Sequence, residues 1–155
     1  MVIRKFIKED LPQVLELCRE VRQHHMDILG GYFTEQDDEF EQLDFLQSLE
    51  DDKTVALVAA DGNEVYGYLL AKRKFVPYLV NKNVVHISNF GVKQEKRGHG
   101  IGRELMEVFL EMCREWNMDE IKLEVFNKNV GAYKFYERYG FEPLKQQVTL
   151  KMKKK

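Results

Sequence analysis

The chain has 155 residues, 44% of them apolar and 32% charged, with a formal net charge of −2. That length suits one domain, residues 1–155, with a sizeable core. The balance argues against a disordered or collagen-like chain and against a general nucleic-acid binder, and no apolar run reaches the length of a membrane span.

Residues 2–7 alternate as a first strand, entered without the apolar core of a signal peptide. Asp10-Leu11-Pro12 reads as a helix start, with Asp10 as N-cap and Pro12 in the first turn, and the helix runs to about His25. Cys18 lies on its apolar face with Leu11, Val14, Leu15 and Val21, which reads as a small buried hydrophobe in a reducing cytoplasm. Gly30-Gly31 breaks the chain. A second helix over 37–49 would bury Phe40, Leu43, Phe45 or Leu46, and Leu49. Residues 54–60 and 64–75 form a hairpin around Asp61-Gly62-Asn63, followed by a loop over 77–83 and a β-branched strand over 84–92. Next comes a helix whose apolar face is Ile101, Leu105, Val108, Phe109, Met112 and Trp116. A strand over 121–126, a helix over 130–139 ended by Gly140, and a last strand over 146–152 complete the order β α α β β β α β α β. Hairpin-joined strands with one parallel βα step make an α/β sheet of mixed direction.

Between the 84–92 strand and the long helix stands Arg97-Gly98-His99-Gly100-Ile101-Gly102. Strand, glycine-rich turn and helix form a geometry that holds a pyrophosphate: glycine tolerates positive φ, and the helix end offers free N–H groups and a positive dipole. No Lys-Ser or Lys-Thr follows to make a P-loop, and Arg103 stands where a dinucleotide fingerprint needs glycine. Six residues alone leave open a turn that merely joins two elements. The spacing Arg97-x-x-Gly100-x-Gly102 resembles the coenzyme A pyrophosphate loop of the GNAT N-acetyltransferase superfamily. A second resemblance lies downstream. Leu123-Glu124-Val125, Asn129, Ala132, Tyr136 and Gly140-Phe141 are similar, in order and spacing, to that superfamily's second cofactor motif.

The resemblance implies a GNAT fold, a mixed and mostly antiparallel central sheet flanked by helices, with strands splayed at an acetyl-CoA site. It implies an acetyl-CoA-dependent N-acetyltransferase that moves the acetyl group to a primary amine by direct attack in a ternary complex. Phe90, Gly91 and Val92 would present backbone groups to the pantetheine arm, with the Val92 N–H near the thioester carbonyl as oxyanion donor. The backbone of Arg97, Gly98, His99, Gly100, Ile101 and Gly102 would hold the pyrophosphate, the N–H of His99 mattering more than its imidazole. Asn129 would touch the pantetheine side while capping its helix. Tyr136 would contact the cofactor and protonate the leaving thiolate. Its phenol, with a pKa near 10 against roughly 8.5 for a thiol, can do so only in concert with C–S cleavage. Glu124 would serve as general base, partly desolvated on its strand. The preceding strand offers His86, Ser88 and Asn89 instead, and no carboxylate.

The acceptor is open. Glu35, Asp37, Asp38, Glu39, Glu41, Asp44, Glu50, Asp51 and Asp52 crowd a stretch without Lys or Arg. Such a rim would concentrate a cationic small molecule or a basic peptide, and an acidic solvated helix face is the plainer reading. Adjacent His24 and His25 lack further ligands at metal spacing, so no metal is expected. A homodimer is the superfamily's habit. The competing readings are a non-catalytic acyl-CoA-binding module and, against the missing Lys-Ser or Lys-Thr, a nucleotide binder.

Overall fold

The computed structural model describes residues 1–154 and divides into two compact units, Met1–Glu124 and the residues from Val125 onward. In the first unit five strands lie in sequence order: β1 (Val2–Lys5), β2 (Thr54–Asp61), β3 (Glu64–Phe75), β4 (Asn83–Val92) and β5 (Glu120–Leu123). Pairing is antiparallel from β1 to β4 and parallel between β4 and β5. Three helices belong to this unit: α1 (Leu11–Leu29), α2 (Glu39–Gln47) and α3 (Ile101–Glu115).

Strand alternation sends side chains to both faces, and both are buried. Val14, Leu17 and Cys18 of α1 and Phe45 of α2 pack with Ala56, Val58, Tyr68 and Leu70 on one face. Leu105 and Ile101 of α3 lie against the other face at Gly67, where an added Cβ would stand 3.1 and 3.3 Å from their methyl carbons.

Several boundaries differ from the sequence expectation. Helix α1 runs four residues past His25 and stops at Gly30, whose φ of +36° suits glycine. Asp10 stands at its N-terminus, but its carboxylate is turned away from α1. It takes a bidentate pair from Arg4, at 2.8 and 2.9 Å, and the Ile7 N–H at 2.9 Å. Helix α2 covers only Glu39–Gln47 and buries Phe45 alone, leaving Phe40, Leu43 and Leu49 exposed. The buried face of α3 is Ile101, Leu105, Met106, Phe109 and Cys113, rotated away from Val108. Strand β5 stops at Leu123, three residues short of Phe126. The thiol of Cys18 is buried as expected, and that of Cys113 on α3 is buried too, which raises them to about 12 and about 11.

The second unit contains α4 (Val130–Glu137), which Asn129 caps by accepting the Ala132 N–H at 3.3 Å. Its end is a Schellman motif: the Phe141 N–H reaches the Tyr136 carbonyl, the Gly140 N–H reaches that of Glu137, and Gly140 has φ +90°. The strand expected over 146–152 does not form; those residues carry no regular secondary structure.

Asp10 makes a testable anchor. Burial by itself raises its pKa, but the Arg4 guanidinium and the Ile7 N–H outweigh that and hold the carboxyl below its ordinary value. A lowered folded value stabilises above the ordinary carboxylate range, and the contribution is lost as pH falls through it. Asp10→Asn is expected to cost about 1–3 kcal/mol at neutral pH. Thermal melts at pH 7 and pH 3 should show the gap to wild type closing in acid; an unchanged gap would refute this assignment.

Candidate functional site

Between β4 and β5 the sheet opens. Their ladder covers Val84–Ile87 only, while β4 continues to Val92. At that point β4 carries a bulge: Leu70 pairs with Asn89 and Ala71 with Ile87, so Ser88 is the extra residue. Its hydroxyl donates to the Leu70 carbonyl at 3.2 Å, which holds the bulge to β3. Beyond it, the Lys93 N–H donates to the Tyr66 carbonyl at 2.7 Å, so the backbone groups of Gly91 turn toward β3 as well. Those of Phe90 and Val92 therefore turn to the edge that β5 has left.

Gly91 sits here for a reason the sequence does not reveal. A Cβ on it would come within 2.7 Å of a Val21 methyl on α1 and 2.9 Å of the Tyr68 ring. Close packing across the sheet demands this glycine, and the bulge belongs to Ser88. Tyr68 is fully buried, which pushes its hydroxyl well above the usual range, and that hydroxyl donates to the Asn89 Oδ1 at 2.6 Å. Asn89 is thus held from below while its neighbours Ser88 and Phe90 lie along the opening.

A single-turn 3₁₀ segment, Gln94–Lys96, leads from β4 to the glycine turn and is tied to α1, since Glu20 accepts the Gln94 N–H at 3.0 Å. Lys96 lies over the Tyr66 ring at 4.7 Å. Arg97 is exposed, and its Nε donates to the Val92 carbonyl at 3.1 Å, which fixes its backbone against the end of β4. Gly98 and Gly100 both have φ +80°, with open space around them, so backbone conformation is what requires glycine there. The imidazole of His99 has its own structural part. Its Nδ1 lies 3.0 Å from the Arg97 carbonyl and 3.2 Å from that of Lys96, and two acceptors require it to be the protonated nitrogen. Gly100 caps α3, and the Glu104 N–H makes the first helical bond to its carbonyl. The N–H groups of Ile101, Gly102 and Arg103 precede that bond at the positive end of a 15-residue helix. One continuous stretch, residues 90–102, thereby joins a strand edge with outward N–H groups to an anion-seeking turn.

Glu124 follows β5 directly and is exposed, unlike the partly desolvated strand carboxylate the sequence suggests. Within the second unit, Tyr136 lies in the last turn of α4, with Phe135 and Phe141 packed edgewise at 5.5 and 5.6 Å between ring centres. Burial pushes its phenol up to about 12.

The acidic stretch is partly neutralised from outside itself. Asp38 binds Arg19 at 2.5 Å and Arg22 at 2.6 Å, Arg22 also binds Glu41, and Asp44 binds Lys72 at 2.7 Å. Asp51 serves the chain, accepting the N–H groups of Lys53 and Thr54. Between α1 and residues 33–38 lies a cavity of about 390 Å³, bordered by Arg22, His25, Phe33, Glu35, Asp37 and Asp38. Burial, aided by His24, lowers the pKa of His25. Among the described residues no group of side chains could hold a metal ion, and no helix is long and apolar enough to cross a membrane.

The comparisons with known proteins agree with one another. The chain is 40% identical over 60 residues to the L-amino acid N-acetyltransferase AaaT of Escherichia coli, a match covering 37% of each protein. It is 30% identical over 109 residues to an N-alpha-acetyltransferase of Saccharolobus solfataricus, covering 65% of this chain and 64% of that one. The matches thus span from about a third to just under two thirds of these relatives. The crystal structure of a tetramutant of the BH1408 protein from Bacillus halodurans superposes with a TM-score of 0.87 at 27% identity, over 98% of this chain and all of that one. The profile of the Acetyltransferase (GNAT) family matches residues 18–141, four fifths of the length, and the chain belongs to that family.

Proposed function

We propose that the protein transfers an acetyl group from acetyl-CoA to a primary amine. The observation that carries this reading is the continuity of residues 90–102: an open strand edge that runs into a turn of two left-handed glycines and a helix N-terminus. Backbone N–H groups of Gly98, His99, Gly100, Ile101 and Gly102, with the charge of Arg97, would take the pyrophosphate. Phe90 and Val92, whose backbone groups face the open edge, would align the pantetheine arm; Gly91, expected from the resemblance to share in this, turns its backbone groups to β3 and instead allows the close approach of Val21 and Tyr68. The Val92 N–H would stabilise the oxyanion that forms when a neutral amine attacks the thioester carbon. As that intermediate collapses and the C–S bond breaks, the departing sulfur would take the Tyr136 proton in the same step, while the new amide nitrogen would lose one to water or to Glu124, from which the phenolate is reprotonated. Asn129 would fix the pantetheine side from the start of α4.

For the acceptor we assign the cavity between α1 and residues 33–38. Asp38 is already shared by Arg19 and Arg22, which leaves Glu35 and Asp37 as the carboxylates for a cationic amine, with Phe33 for its apolar part. A cationic small molecule or a peptide amine fits that lining. Two buried free thiols suit a reducing cytoplasm.

Release of free thiol from acetyl-CoA is the direct test, run against polyamines, amino acids, aminoglycosides and short peptides. Turnover is expected with one amine class, and Glu35→Gln with Asp37→Asn should raise its KM several-fold with kcat little changed. Acetyl-CoA binding without turnover on any acceptor would favour a binding module over an enzyme.

A further inference from the structure

The turn between β4 and α3 is loose by composition. Gly98 and Gly100 both stand at φ +80°, and His99 is the one residue between them. Glycine reaches more backbone conformations than any other residue, so such a turn must be ordered before it can bind anything tightly. Backbone bonds fix its two ends. The Arg97 N–H donates to the Gln94 carbonyl at 3.3 Å, and the Glu104 N–H donates to the Gly100 carbonyl at 3.0 Å. A side chain spans the middle. The His99 Nδ1–H is shared between the Arg97 carbonyl at 3.0 Å and the Lys96 carbonyl at 3.2 Å. Nδ1 carries hydrogen in this tautomer and in the imidazolium alike, so the tie holds whichever charge the ring bears.

We propose that the His99 imidazole is a positioning residue for the cofactor: it staples the turn back onto the residues that enter it, so that the N–H groups of the turn are aimed before a pyrophosphate arrives. This rests on the acetyl-CoA reading above, in which His99 contributes only its N–H. Two effects act together. The staple removes backbone freedom that binding would otherwise have to remove, which raises affinity without adding a contact to the ligand. It also engages two carbonyl oxygens beside the turn. Successive N–H groups form an anion-binding concavity only while the negative ends of the neighbouring peptides point elsewhere, and the ring N–H keeps both of these occupied.

His99 is exposed and its φ is not positive, so other side chains enter without backbone strain or a cavity in the core. Calorimetric titration of acetyl-CoA into the full chain and three variants is the test. Asparagine carries an N–H donor at the place of Nδ1, whereas glutamine carries its donor at the place of Nε2. His99→Ala and His99→Gln should each weaken binding about 3–10-fold, the worth of one net hydrogen bond. His99→Asn should stay within about two-fold of wild type. In steady-state release of free thiol the loss should appear in the KM for acetyl-CoA, with kcat and the KM for the acceptor little changed. A wild-type chain that binds no acetyl-CoA would overturn the acetyl-CoA reading and the staple with it. Three results would overturn the staple alone while wild type still binds. These are a His99→Ala chain that binds as wild type does, a His99→Asn chain that binds no better than His99→Gln, and a loss confined to kcat.

Discussion

Gly91→Ala is expected to lower the thermal midpoint by roughly 3–10 °C, from an overpacking cost of about 1–3 kcal/mol in a chain of this size. The backbone of Gly91 has no positive φ, so the whole effect comes from what the added methyl meets. It meets Val21 at 2.7 Å and Tyr68 at 2.9 Å. Neither yields easily, since a β-branched valine is stiff about χ1 and the Tyr68 ring is sealed in the core. Either response disturbs the proposed cofactor site. Moving Val21 shifts α1, which holds the Gln94 turn through Glu20; moving Tyr68 drags Asn89 along the opening of β4. Acetyl-CoA binding should therefore weaken together with stability. Val21→Ala supplies room, so the double variant should lose less than the sum of the single ones, as contacting sites do. A Gly91→Ala protein that melts with wild type would show that the close approach of α1 is not what selects glycine here.

Gly100→Ala makes the contrast: nothing but an Arg103 nitrogen at 3.9 Å lies near its Cβ position, and its cost is the left-handed φ of +80°. These two glycines show how far a sequence can be read. The turn glycines are legible because local conformation alone requires them, and a strand before and an amphipathic helix after give them context. Gly91 is a glycine inside a strand, and its partners are dozens of residues away, on α1 and β3, where no local pattern names them. The same holds for the Ser88 bulge, which is a register difference between two strands and not a property of either. Helix α2 misleads in the opposite direction. Phe40, Leu43 and Leu49 repeat at helical spacing, yet only Phe45 finds a place against Phe6 and Tyr68. Spacing predicts a face; it cannot say whether anything packs on it. The 146–152 segment shows this most plainly, since its period is that of a strand and a strand needs a neighbour.

Tyr136→Phe is expected to reduce kcat by about 10²–10⁴, the range for losing a positioned acid, with little change in the KM for acetyl-CoA. Phenylalanine keeps the edgewise packing on Phe135 and Phe141, and a thermal melt run beside the assay separates a loss of chemistry from a loss of stability. The phenol is no ready acid. Burial raises it to about 12, far above the roughly 8.5 of a thiol, so it cannot hand over its proton before the C–S bond yields. In the proposed reaction it would donate a hydrogen bond to sulfur as negative charge grows there and regain any transferred proton from the amide side. The sign of the pH dependence follows. Tyr136 stays protonated to about pH 12, so it produces no falling limb in the usual range. The attacking amine must lose its proton, so kcat/KM should rise through the acceptor's own pKa and then stay level to at least about pH 10. A falling limb centred below that pH, present in wild type and absent in Tyr136→Phe, would mean that the phenol ionises in the working enzyme and that its proton is held less tightly than its burial dictates.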